Sequence, residues 1–265
     1  MHRTNVLKEI ETHINSLRVI HYSCQALSDS NEGLSPRITS IAVLHVERSV
    51  MHSFSIHLIA EKQGVEKSKI EASYNELEAA MLEQFFKFVS ENDDARWLHW
   101  NMSNINFGFE ALSHRYGVLT KNQPPNIPDT MCFNLSSMIL QKYGSDCVDH
   151  PRMEKLMEKN GGVPRDFLNG EQEAKAFKAK ELVKLHKSTM TKAYWFQSMF
   201  FLFQKNKIIT QRSNFKEKVN KLAESTTAKI LGLIAVLFSV FQLSVGGYHY
   251  LSEEIFTPED KVESK

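Results

Sequence analysis

The sequence has few of the residues that mark disulfide-bonded, fibrous or disordered proteins. It contains only 3 cysteines, 7 prolines and 11 glycines among 265 residues. The number of cysteines is odd, and they lack the paired spacing of zinc ligands: Cys24, Cys132 and Cys147. They therefore predict neither a disulfide framework nor a zinc site, and they favour a reducing compartment for the main body of the chain. The low glycine and proline content excludes collagen-like and low-complexity classes.

An excess of charge of either sign is also missing. The chain carries 32 Lys+Arg against 31 Asp+Glu, which gives a formal net charge of +1 at pH 7. Proteins that bind nucleic acid through bulk attraction need a clear positive excess, so this balance excludes that class. The sequence also lacks a phosphate loop, a dinucleotide fingerprint, a nucleophile elbow and an HExxH zinc motif.

A long uncharged stretch is present near the end of the chain, from Ile230 to Leu251. Its roughly 22 residues match the length that a helix needs to cross the hydrocarbon core of a bilayer. Basic residues precede this stretch and acidic residues follow it, which predicts that the preceding part is cytoplasmic. We therefore expect a single-pass inner (plasma) membrane protein with a transmembrane helix over 229–251 and a short acidic tail over 252–265.

A second apolar segment, Ala193 to Gln204, is too short to span a bilayer. The favoured interpretation is a helix in the core of the folded domain. The alternative is a helix that lies in the membrane interface, where Trp195 and the neighbouring phenylalanines would suit the headgroup region.

Strand and helix patterns alternate in the first half of the chain. This order predicts an α/β domain over 1–119 with a sheet of mixed direction, followed over 120–228 by a mainly helical extension that packs on it. The predicted strands are Arg18–Leu27, Ile38–Val46, Ser53–Ala60 and Trp97–Trp100, and the predicted helices include Val6–Leu17, Glu76–Val89 and Phe107–Tyr116.

Three segments of this domain resemble the DEDD 3′–5′ exonuclease group of the RNase H-like superfamily. The first is RVIHYSCQAL with the following ITSIAVLHVERSVMHSFSIHL, the second is NELEAAMLEQFFKFVSEN, and the third is RWLHWNMSNINFGFEALSHRYGVL. The resemblance covers roughly residues 18–119 and extends in a looser form to about residue 195. It implies an α/β fold with an RNase H-like mixed sheet and flanking helices, to which the helical C-terminal extension and one transmembrane helix are added.

The resemblance also implies acidic residues that this sequence does not have. Exonucleases of this group place two acids on the first strand to hold two divalent metals, whereas that strand here carries Ser23, Cys24 and Gln25. A further expected acid falls at Asn104 or Asn106, and an amide oxygen is a weak ligand for Mg²⁺. No acid follows His186 in the last expected segment, HKSTMTKAYW. We therefore expect that metal-dependent nuclease chemistry has been lost.

The densest group of polar and aromatic residues lies around the fourth predicted strand. In open α/β sheets, ligands bind at the carboxyl ends of strands, so this group predicts a pocket in which rings stack on bases and amides bond their edges. The alternative is that the aromatic residues fill the core and the asparagines cap the next helix. The candidate ligand-binding residues are Trp97, His99, Trp100, Asn101, Asn104 and Asn106.

These patterns together favour a membrane-anchored cytosolic effector or sensor whose exonuclease-like domain is catalytically inactive. The architecture of a soluble domain with one terminal helix resembles the effectors of bacterial anti-phage defence. We expect no cofactor, and we expect the lipid bilayer, a protein partner, a nucleotide or nucleic-acid ligand and a second copy of the chain as partners. Two alternatives stay open: an anchored nuclease that uses Mg²⁺ with rearranged ligands (Glu47, Asp29 or Glu32 with His99), and a non-catalytic anchored scaffold.

Overall fold

A five-stranded mixed sheet forms the centre of the protein. The computed structural model describes residues 3–25, 36–104, 107–211, 229–230 and 234–236. The strands of the sheet are β1 (Leu17–Cys24), β2 (Ile38–His45), β3 (Met51–Ser55), β4 (Arg96–His99) and β7 (Cys132–Asn134), in the spatial order β3-β2-β1-β4-β7. Strand β1 pairs antiparallel with β2 and parallel with β4, while β3 is antiparallel to β2 and β7 is parallel to β4.

A small two-stranded sheet and eight named α-helices accompany the five-stranded sheet. The small sheet pairs β5 (Ser103–Asn104) with β6 (Phe107–Gly108) in antiparallel fashion. The helices are α1 (Arg3–Thr12), α2 (Ile56–Lys62), α3 (Tyr74–Ser90), α4 (Phe109–Thr120), α5 (Leu135–Tyr143), α6 (Arg152–Lys159), α7 (Gly170–Lys178) and α8 (Leu182–Gln204).

Helices cover both faces of the five-stranded sheet. Every residue of β1 and β2 is buried, as expected for strands with helices on each side. On one face Ile20 and Tyr22 pack with residues of α2, α3 and α4. On the other face Leu17 and Val19 pack with residues of α1, α5, α6 and the second half of α8. The chain is an α/β protein whose mixed sheet and flanking helices are compatible with an RNase H-like fold.

The third predicted strand is wrong in its second half. Strand β3 ends at Ser55, and Ile56 begins α2, although Ser53–Ala60 has the apolar content of a strand. The Ser55 side chain accepts a hydrogen bond from the Leu58 N–H, and this N-cap starts the helix. Ile56, Ile59 and Ala60 then lie buried on one helical face, a spacing that a short apolar run does not distinguish from a strand.

The predicted transmembrane helix is not supported. Among the described residues, no helix is long and apolar enough to cross a membrane. This finding contradicts both the single transmembrane helix over 229–251 and the single-pass placement in the inner membrane. A span requires a continuous apolar helix of about 20 residues. Of the predicted segment only residues 229–230 and 234–236 are described, and the remainder lies outside the described residues.

The apolar segment Ala193–Gln204 forms the second half of α8. Phe196 and Phe200 are fully buried in the core between the helix and the sheet. Lys184 and Lys187 on the first half of α8 are exposed, so the helix is amphipathic rather than apolar on every side. The core-helix interpretation of this segment therefore agrees with its burial.

The chain divides into two units, Met1–Thr210 and Gln211–Lys265. The sheet and all eight named helices belong to the first unit. The acidic tail and most of the second unit lie outside the described residues.

Candidate functional site

The carboxyl end of strand β1, the middle strand of the sheet, carries a buried polar network on the face covered by α8. The Ser23 hydroxyl donates a hydrogen bond of 2.9 Å to Oε1 of Glu173 on α7, and it lies 2.7 Å from Oγ1 of Thr189. The Ser188 hydroxyl also donates to Glu173 Oε1, at 3.1 Å. The Lys192 ammonium forms a 2.7 Å ion pair with the same oxygen. All five side chains are nearly inaccessible to solvent, so each polar group depends on the others.

His21 precedes Ser23 by two residues and therefore points to the same face of β1. Its ring packs edge-on against Phe196, and neither ring nitrogen has a hydrogen-bond partner among the described residues. Burial, followed by the nearby positive charge of Lys192, lowers the pKa of His21 well below its ordinary value. The imidazole is therefore neutral and functions as part of the core.

This network occupies the place where the resemblance to exonucleases implies metal-binding acids. The Glu173 carboxylate already accepts hydrogen bonds from an ammonium and two hydroxyls on one oxygen. It is therefore a poor ligand for a divalent cation, because the cation would have to displace Lys192. Among the described residues, no group of three or more His, Cys, Asp and Glu side chains is arranged to hold a metal ion.

A second feature is a pocket at the carboxyl ends of β4 and β7, closed on one side by the start of α4. Its volume is ≈ 270 Å³. The parallel pairing of β4 with β7 brings the two strand ends together, and α4 starts directly after β6. The described residues that line the pocket are His99, Met102, Ser103, Gly108, Phe109, Glu110, Asp129, Cys132 and Asn134.

His99 is the buried polar group of this pocket. Its side chain is only 2% exposed, and its Nδ1 accepts a 3.1 Å hydrogen bond from the Met102 N–H. An acceptor nitrogen carries no proton in the neutral ring, so the proton lies on Nε2. Burial lowers the pKa of His99 to about 4. The side chain is therefore a neutral hydrogen-bond donor at physiological pH.

Asn101 and Asn134 hold the rim of the pocket together. Asn101 has a positive φ of 54°, a conformation that asparagine tolerates better than most residues. Its backbone N–H donates to Asn134 Oδ1 at 3.2 Å, and its side-chain oxygen accepts from Asn134 Nδ2 at 3.3 Å. Asn134 Oδ1 also accepts from the Ser137 N–H and so caps the start of α5.

The two tryptophans proposed for base stacking are packed into the core. Trp97 is 2% exposed and meets Phe109 edge-on, with ring centroids 5.8 Å apart. Trp100 is 6% exposed and stacks on Phe196 of α8 at 5.7 Å with an interplanar angle of 13°. Neither ring lines the pocket. Asn106 and the side chain of Asn104 lie outside the described residues.

Of the candidate residues whose side chains the structure describes, His99 alone lines this pocket, and several of the other lining residues were not singled out from the sequence. Glu110 is an exposed side chain in the first turn of α4, and Asp129 belongs to a short 3-10 helix. Cys132 and Asn134 come from β7, which has only three residues and no clear sequence pattern. The one available signal was the polar Asn134 directly before a helix, which is a capping position. Burial raises the pKa of the Cys132 thiol to about 12, so it is not a reactive nucleophile.

A larger cleft of ≈ 920 Å³ lies between α2 and the start of α8. Charges of both signs line it, and they include the ion pairs Lys180–Glu71 and Lys184–Glu181. At its inner wall His57 meets the ring of His186 with centroids 5.0 Å apart, and His186 Nδ1 lies 2.7 Å from the Ser40 hydroxyl. Ser40 is fully buried, so this Ser–His pair does not reach a substrate.

The sequence matches no protein-family model, and it has no match among curated proteins.

Proposed function

We propose that this chain is a non-catalytic relative of the DEDD exonucleases that binds a small ligand in the pocket between the ends of β4 and β7. The sensing or effector role expected from the sequence would follow from ligand binding at this site. A role in antiviral defence, a protein partner and self-association stay predictions.

One observation supports the loss of catalysis. Ser23 on β1 donates a hydrogen bond to the Glu173 carboxylate, whose charge is already neutralised by Lys192. Two-metal hydrolysis requires several carboxylates that are free to clamp two cations near the scissile phosphate. A serine, a neutral histidine and an ion pair at the centre of the sheet supply no such clamp. The replacement is also self-consistent, because two hydroxyls and the ammonium bind the buried carboxylate of Glu173.

The position and chemistry of the β4–β7 pocket support the binding role. Ligands of open α/β sheets bind at the carboxyl ends of the strands, where loops and helix starts converge. Here the pocket combines a buried donor, His99, with two exposed carboxylates, Glu110 and Asp129, and an apolar ring, Phe109. A few polar groups that line one concavity are usual features of a small-molecule site.

The test combines a nuclease assay with a binding assay on the purified full-length chain. With Mg²⁺ or Mn²⁺ present, we expect no cleavage of single-stranded DNA, RNA or dinucleotides. We expect instead that a small ligand raises the midpoint of thermal unfolding in a saturable way, since a ligand that binds only the folded state stabilises it. Metal-dependent cleavage that disappears in Asp129→Asn or Glu110→Gln would overturn the proposal.

A further inference from the structure

The hydrogen-bonding groups of the β4–β7 pocket define the edge of the ligand that fits it. The Nε2–H of His99 is a donor with no partner among the described residues, because Nδ1 is the nitrogen that bonds to Met102. The His99 ring as a whole is only 2% exposed, so its remaining N–H gains most from an acceptor on a ligand that enters the pocket. The ligand must therefore present a carbonyl or an equivalent acceptor to His99.

The charged groups of the pocket indicate which groups the ligand carries beside its carbonyl acceptor. The lining residues that the structure describes include the carboxylates of Glu110 and Asp129 and no lysine or arginine. Two carboxylates that line the same pocket as a neutral imidazole repel phosphate and other anions and attract groups that donate N–H. The ligand therefore carries N–H donors close to its carbonyl oxygen.

The apolar walls and the volume of the pocket indicate the shape of the ligand. Phe109 offers an aromatic ring and Met102 a flexible thioether, which together suit a flat heterocycle. The volume of ≈ 270 Å³ is just below the usual range for sites that hold drug-sized ligands, and it suits a single ring system rather than a whole dinucleotide.

We propose that this pocket binds guanine, presented as a nucleoside or an exposed base. The O6 carbonyl would accept from His99 Nε2–H, and the N1–H and the 2-amino group would donate to Glu110 or Asp129. Adenine reverses this pattern, because its 6-amino group would face the His99 donor. A guanidinium or ammonium ligand has no acceptor and would leave that donor unsatisfied. This inference rests on the proposed binding role of the same pocket.

Titration calorimetry of the full-length chain at pH 7 with guanosine, inosine and adenosine tests the base specificity. Guanosine should bind with a one-to-one stoichiometry. Inosine lacks the 2-amino group, and the loss of one hydrogen bond to a carboxylate should weaken its binding about 10- to 100-fold. Adenosine should bind at least about 100-fold more weakly than guanosine, because two polar groups would be mismatched.

Conservative variants test the residues. Asp129→Asn and Glu110→Gln should each retain the fold, and at least one of them should weaken guanosine binding about 10-fold or more. His99→Asn places an amide near the Nδ1 position, which can still accept from Met102, but it removes the Nε2–H donor and should also weaken binding. Glu83→Gln on α3 removes an exposed carboxylate that does not line the pocket, and it should leave affinity unchanged.

The outcomes separate this inference from the binding role. Equal affinity for guanosine and adenosine, or no affinity for any nucleoside by a chain that unfolds cooperatively, would overturn the guanine assignment. The non-catalytic binding role stands if cleavage is also absent, if another ligand with N–H donors binds, and if Asp129→Asn lowers the affinity for that ligand. Metal-dependent cleavage would overturn the binding role itself.

Discussion

The Lys192 ammonium lies 2.7 Å from Oε1 of Glu173, and both side chains are enclosed between α7, α8 and the sheet. The pair links two helices to the central strand through Ser23. A buried ion pair is worth little relative to an apolar replacement, yet breaking it by removal of one partner is costly. Substitution of either side chain therefore tests the network that replaces the metal-binding acids.

Replacing Lys192 with Met should lower the free energy of unfolding by about 3–5 kcal/mol, because it leaves the Glu173 carboxylate buried without a cation. Chemical denaturation at pH 7 measures this change. The double variant Glu173→Leu/Lys192→Met should recover most of the loss. Lys175→Met on α7, which breaks the exposed pair with Glu171, serves as the control and should cause no measurable change. An equally small effect of Lys192→Met would show that the buried pair is not formed.

Acid should destabilise the protein through its buried histidines. Burial lowers the pKa of His99 to about 4, and burial together with the charge of His57 lowers that of His186 to about 4. The unfolded chain, with the ordinary pKa of 6.5, binds protons more readily, so protonation favours unfolding. The stability contributed by neutral histidine is full above about pH 6.5 and falls towards pH 4, by up to about 3 kcal/mol for His99.

Unfolding curves recorded between pH 7 and pH 4 test this dependence. His186→Asn keeps an acceptor for the Ser40 hydroxyl and removes the titrating ring. The free energy of unfolding of this variant should fall less steeply over that pH range than that of the unmodified chain. Parallel curves for the two proteins would contradict the assignment of His186 as a buried neutral ring.

Loss of the Asn134 side chain should loosen the rim of the β4–β7 pocket. Asn134→Ala removes the N-cap of α5 and the acceptor of the Asn101 N–H, so we expect a loss of about 1–2 kcal/mol. Asn134→Asp keeps an oxygen at the capping position and should lose less. Urea denaturation compares the two variants. Equal stability of Asn134→Ala and the unmodified chain would show that these hydrogen bonds do not form.

Trp100 should contribute to stability and not to ligand binding. Its ring fills the space between Trp195 and Phe196, and Trp100→Ala should cost about 3–5 kcal/mol through the cavity that it leaves. Because the ring does not line the pocket, a folded Trp100→Phe variant should keep the ligand affinity of the unmodified chain. Val118→Ala, at an exposed position on α4, should change stability by less than about 0.5 kcal/mol. A loss of affinity in Trp100→Phe without a loss of stability would instead place this ring in the site.

Periodic segments were predicted well because burial leaves a pattern in the sequence. The stripe over Glu76–Val89 predicts a helix, and α3 extends over Tyr74–Ser90. The β-branched run over Ile38–Val46 predicts a strand, and β2 extends over Ile38–His45. The β3–α2 boundary was missed because one hydroxyl, that of Ser55, decides it. The pocket was found only through His99, because its other lining residues come from short, non-periodic segments.

The sequence by itself determined the α/β class, the main strands and helices, and the absence of acids from the central strand, since all of these follow from local composition and spacing. Only the tertiary structure decided what replaces those acids. Ser23, Glu173 and Lys192 are far apart in sequence and meet because α7 and α8 fold back onto β1. The same holds for the pocket, where the parallel pairing of β4 and β7 brings His99 and Asn134 to one edge of the sheet. Such long-range contacts depend on how faces pack together, and no local pattern encodes them.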